Sequence, residues 1–137
     1  MALSKGKYPD FEGLTFTPVT LLPNSSQGTG NSIPPEVKVV ALGANVNDVN
    51  DFTVLPSLAS VPVGHTITIL AGTAANSELR TPASSNEKIN NEDSDGTKEA
   101  LLTAGNVYTV TKLQGSAGWM LEGRTAIGAY QTAIVPD

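Results

Sequence analysis

Residues 88–101, KINNEDSDGTKEAL, carry the densest run of oxygen ligands in the chain. Asn91, Asp93 and Asp95 alternate ahead of Gly96, and Glu99 follows. A hard cation such as calcium takes roughly six to eight oxygens from closely spaced carboxylates and carbonyls. In an EF-hand register Asn91, Asp93 and Asp95 take the first three ligand positions, and Gly96 takes the sharp turn. The register then fails. The bidentate acid expected after the glycine falls on Leu102, and Glu99 sits where ligation usually runs through water. The flanks also read as strands, where that motif needs helices. The stretch therefore predicts an acidic Asp-Gly turn with Lys98 as partial charge compensation. A calcium loop is the alternative, and calcium is the only cofactor the sequence suggests.

Nucleophilic catalysis finds little to work with. His65 is the only histidine and the chain has no cysteine, so any triad would have to use His65. QGSAGW lacks the Gly-x-Ser-x-Gly spacing of a nucleophile elbow. QGTGNS, residues 27–32, has no following lysine and is not a phosphate loop. The expectation is no enzyme, no catalytic residue, and a half-exposed His65 at a strand start. Trp119, the only tryptophan, reads as a core plug with its indole N–H satisfied at an edge. The alternative is an exposed ring that stacks on sugar or anchors an interface. Tyr108 and Tyr130 lie in strand-like runs and read as packing residues. Arg80 and Arg124, the only arginines, read as solvated strand ends.

The elements that must position these residues are strands. Apolar and polar residues alternate in GHTITILAG (64–72) and NVYTVTKLQG (106–115), and EVKVVAL (36–42) and DFTVL (51–55) are further candidates. GWMLEG (118–123) and IGAYQTAIV (127–135) complete the set. Turn residues separate these runs, which predicts an all-β fold over 36–137, an antiparallel β-sandwich or jelly-roll-like barrel. No repeat of fixed period is present. At 137 residues the chain is long enough to bury a sizeable core without disulfides. Only 15% of residues are charged, and the net charge is −5. That balance argues against a nucleic-acid binder, which gains from counterion release at a basic patch. No window approaches the roughly eighteen apolar residues of a membrane span, and no secretory signal is visible at the N-terminus.

The first 35 residues differ. From Tyr8 to Glu36 there are five prolines, and a Ser/Gly/Asn-rich patch covers 24–32. Proline cannot donate to a sheet ladder. Yet Phe11, Leu14, Phe16, Val19, Leu21 and Leu22 are too apolar for a solvated tail. One reading is an extended arm over 1–35 that docks these side chains on a partner, with a hinge over 24–35 stiffened by the prolines of SIPPEV. The other is a proline-bounded edge strand followed by a loop of the same domain.

From about residue 51 onward the order of short motifs resembles a β module of tailed-bacteriophage virion proteins. It runs FTVLPSLASVPVGHTITIL, then ELRTPASSNEKINN, then LLTAGNVYTVTKLQGSAGWMLEG. The closing GRTAIGAYQTAIVPD is similar to the C-terminus of such structural proteins. The resemblance implies a head decoration (cement) protein on the virion surface, a homotrimer whose partner is the major capsid protein. The alternative it implies is a head- or tail-fibre adhesion module that binds host-surface carbohydrate. It brings no catalytic residues and does not cover the first 35 positions.

Overall fold

A computed structural model describes residues 18–43, 50–73, 75–96 and 98–137. The strands are β1 (Val19–Leu21), β2 (Val39–Leu42), β3 (Phe52–Val54), β4 (Thr66–Leu70) and β5 (Ser77–Arg80). They continue as β6 (Lys88–Ile89), β7 (Glu92–Asp93), β8 (Ala100–Leu102), β9 (Val107–Lys112) and β10 (Trp119–Arg124), and a 3-10 turn spans Leu58–Ser60. The chain is all-β. A seven-stranded sheet runs β1-β2-β4-β9-β10-β6-β7, and a three-stranded sheet runs β3-β5-β8. One core lies between them. The large sheet supplies Val40, Ile67, Ile69, Tyr108, Val110, Trp119 and Leu121, and the small sheet supplies Leu79, Ala100 and Leu102.

Alternation explains which side chains turn inward. In β4 Ile67 and Ile69 are fully buried while Thr66 and Thr68 face out. In β9 Tyr108 and Val110 are buried between outward Val107 and Thr109. The pairing is mixed, however. β4–β9, β9–β10, β5–β8 and β6–β7 are antiparallel, whereas β1–β2, β2–β4, β3–β5 and β10–β6 are parallel. The parallel pairs arise because the chain passes between sheets instead of turning back. β3 of the small sheet lies between β2 and β4 in sequence, and β4 lies between β3 and β5.

Residues 19–35 are part of this fold. β1 is the edge strand of the large sheet, in parallel register with β2. Leu21 and Ile33 belong to the core. The segment expected to act as a hinge lies along β3 instead. Asn24 and Phe52 exchange backbone bonds of 3.1 and 3.0 Å, and Ile33 N–H reaches Val54 O at 2.8 Å. Asn31 is only 1% exposed and locks the loop. Its Nδ2 donates to Phe52 O at 2.9 Å and Ser26 O at 3.1 Å, and its Oδ1 accepts Gly28 N–H at 2.8 Å. The structure thus follows the edge-strand reading from Val19 onward: Leu21 is buried, while Val19 and Leu22 keep 36% and 47% exposure. Phe11, Leu14 and Phe16 lie outside the described residues.

Candidate functional site

The outward face of the large sheet carries few charges. Its register places Thr66, Thr111 and Met120 in one row, Thr68, Thr109 and Glu122 in the next, and Leu70, Val107 and Arg124 in the third. Thr66 and Thr111 share a hydroxyl hydrogen bond of 3.1 Å. Among these nine positions only Glu122 and Arg124 are acidic or basic residues. Surfaces depleted in charge suit protein contact better than plain solvation.

At the end of β10 the chain folds back as a hook. The sequence predicts a strand over 127–135. Instead Gly128, at φ 82°, turns the chain, and Arg124–Tyr130 is an isolated bridge. Gly128 N–H donates to Thr125 O at 2.8 Å and Gln131 N–H to Gly123 O at 3.0 Å. Tyr130 is no packing residue: it is 70% exposed. Arg124 is not simply solvated either. Its guanidinium lies 3.8 Å from the centre of the Tyr130 ring, and Nη1 donates to Gly128 O at 2.9 Å. A hollow of about 410 Å³ bordered by Tyr130 is lined by Glu122, Gly123, Gln131 and Thr132 with Leu121 and Ile134. A smaller one of about 180 Å³ is lined by Val107, Thr109, Glu122 and Arg124.

Gly123 makes the hook possible. A Cβ there would meet Gln131 Oε1 at 2.0 Å and Tyr108 Cε1 at 2.8 Å. Gly123→Ala is therefore expected to displace Gln131 and loosen residues 125–134 while the sheet persists. Faster amide exchange at Gln131, with a stability loss of about 1–3 kcal/mol, is the expected result.

The acidic stretch is a hairpin and a loop. Asn90 and Asn91, at φ 49° and 72°, turn between β6 and β7, as a two-residue turn with both central residues at positive φ requires. The four ligand candidates go separate ways. Asn91 is in the turn, and Asp93 is exposed opposite Lys88. Asp95 Oδ2 accepts Asn86 N–H at 3.0 Å, and Glu99 pairs with Arg80 at 2.8 Å. No group of three or more acidic or histidine side chains converges among the described residues. Lys98 pairs with Glu92 at 2.8 Å, and that hydrogen bond lowers the Glu92 pKa and raises that of Lys98. Arg80, expected to be solvated, holds Glu78 at 2.9 Å as well as Glu99 and stacks 3.9 Å from the Phe52 ring centre.

His65 is buried, not half-exposed. Lys38 Nζ lies 2.7 Å from its Nδ1. An ammonium can only donate, so Nδ1 accepts and the ring proton sits on Nε2. Trp119 meets the ring edge-on, with centroids 6.5 Å apart. Its indole N–H is buried without an acceptor among the described residues, where an edge partner was expected. Beneath them Lys112 Nζ donates to Leu58 O at 2.6 Å and Val61 O at 2.8 Å, and Glu87 accepts Leu58 N–H at 2.9 Å. Burial, then the Lys38 charge, pushes the His65 pKa below 6.5. Burial raises that of Glu87 against the pull of the Leu58 N–H and Lys112. A histidine with a depressed folded pKa binds its proton more readily when unfolded. Its linkage therefore removes stability as pH falls from 6.5 towards the folded value. Urea midpoints are expected to drop between pH 7.5 and 5.5, and His65→Gln should flatten that dependence.

The hook and the Arg80 cluster are the parts that sequence reasoning missed. A Gly-containing turn after a strand ending in arginine was the available signal for the hook, since Arg124 and Tyr130 are six positions apart across Gly128. No protein-family model matches this chain, and no curated protein is significantly similar to it.

Proposed function

We propose that this chain is a decoration protein of a tailed-phage capsid that binds the outside of the major shell and stabilises it as a homotrimer. One observation carries the reading. The apolar N-terminal sequence precedes β1, an edge strand of the large sheet, where Val19 and the following Leu22 are exposed. An edge without a further strand among the described residues, flanked by apolar side chains, is suited to adding strands from a partner, with main-chain hydrogen bonds supplying affinity. The low-charge sheet face and the order of motifs over 51–137 support the same reading. Small contacts repeated over a closed shell gain strength through avidity. The reading assigns no catalytic residue and no metal.

The test is co-sedimentation with shells assembled from the major capsid protein, with light scattering for the native mass. The full chain is expected to be a trimer indifferent to chelator and to pellet with shells. A chain lacking residues 1–17 is expected to keep its fold and stay in the supernatant. Undiminished pelleting of the shortened chain would remove the N-terminal segment from the mechanism. A monomer with no shell affinity would overturn the reading.

A further inference from the structure

We propose that the ridge formed by Tyr130 and its two flanking hollows is a binding site for a neutral pyranose unit. Three features lead there. The first is an aromatic ring that is held open. Tyr130 is 70% exposed, yet Arg124 stacks at 3.8 Å and is itself tied to Gly128 O. Immobilising an exposed aromatic before a ligand arrives lowers the ordering cost of binding. The second is geometry. Tyr130 borders both hollows, and Arg124 lines the smaller one but not the larger one of about 410 Å³. The third is the set of polar groups around that hollow. Glu122, Gln131 and Thr132 all line it, with the Gln131 amide oxygen turned inward against Gly123. A few convergent polar groups beside an apolar platform make a small-molecule site.

The chemistry selects the ligand class. A pyranose has an apolar C–H face for the ring and equatorial hydroxyls for a carboxylate and an amide. An anionic sugar would meet Glu122 and a chain of net charge −5. The Arg124 charge is engaged by the Tyr130 ring and Gly128 O. The site also lies away from the proposed shell attachment. β1 and β10 are separated by β2, β4 and β9, hence by roughly 19–20 Å across the sheet. A subunit held at β1 leaves the Tyr130 ridge free, and the inference stands whether or not the chain decorates a shell.

The experiment is a titration of the full chain, followed by amide chemical shifts. The probes are methyl glucopyranoside, methyl galactopyranoside, methyl mannopyranoside, free glucuronate and a proline-rich peptide. At least one neutral glycoside is expected to shift Tyr130, Gln131 and Thr132 with a Kd on the order of millimolar, as suits a single small ligand. Tyr130→Ala should weaken it by about tenfold or more, while Tyr130→Phe retains the ring and most of the affinity. Tyr130 is exposed, so both variants are expected to fold, which their unchanged shifts elsewhere would verify. Absence of saturable shifts with all three glycosides would overturn the proposal. So would binding that survives Tyr130→Ala, or preferential binding of glucuronate or of the peptide.

Discussion

A chain that begins at residue 36 is expected not to fold, whereas one that begins at residue 18 is expected to melt as the full chain does. The segment between them supplies β1 and two core side chains, Leu21 at 5% exposure and Ile33 at 2%. Removing a side chain of this kind from a core costs about 2–5 kcal/mol. The loss also strips Asn31 from the Phe52 carbonyl, the Asn24 and Ile33 bonds from β3, and the whole β1 ladder from β2. Against a total stability of roughly 5–15 kcal/mol, that sum leaves no folded state to populate. Thermal unfolding decides it, followed by the fluorescence of Trp119, the sole tryptophan. A cooperative transition of 36–137 near that of the full chain would make 18–35 an appendage.

The second large effect is expected at Trp119. Its side chain is fully buried at the end of the sandwich where β9, β10 and β6 meet. It stands opposite Lys112 on β9 and Ile89 on β6. Trp119→Ala should cost about 3–5 kcal/mol and lower the melting temperature by roughly 10–20 °C. Trp119→Phe should cost less. It keeps an aromatic ring against His65 and removes an N–H that has no acceptor among the described residues. Far-ultraviolet circular dichroism must follow these variants, since the fluorophore is gone. A shift under about 3 °C for Trp119→Ala would contradict the placement of this side chain in the core. The neighbouring Gly118 adds to the constraint. It sits at φ 80°, and a Cβ there would lie 2.4 Å from Lys88 O, so β6 can approach β10 only past a glycine.

The strands that alternation reveals are those with one wet face. β4 and β9 were legible because threonines stand outward between Ile67, Ile69, Tyr108 and Val110. β5 was not, because its inward positions are Ser77 and Leu79 and it ends in Arg80, whose role depends on Glu99, distant in sequence and just ahead of the paired strand β8. β6 and β7 are two residues each, too short for any period to show. Strand direction was hidden for a different reason. Alternation is the same whether a neighbour runs parallel or antiparallel, and here the crossing of the chain between sheets decides it. The run 127–135 reads as a strand because Ile127, Tyr130 and Val135 are apolar. They are exposed, and Ile134 is the one of this segment that packs on the core. The turn chemistry of 88–101 was legible, but the dispersal of its carboxylates onto Lys98, Arg80 and the Asn86 amide was a tertiary fact.

The strand order has a kinetic meaning. β4 must wait for β9, whose first residue, Val107, follows Leu70 by 37 positions, and β6 pairs in parallel with β10 only after the latter has been made. Topologies dominated by such distant partners fold in roughly milliseconds to seconds, and a ribosome delivers only about 5–20 residues per second. For the seconds before β9 and β10 emerge, Ile67 and Ile69 have no partner strand on that side. The nascent chain thus passes through a period in which the core side chains of β4 are open to other chains, and its yield depends on how quickly its last third is synthesised.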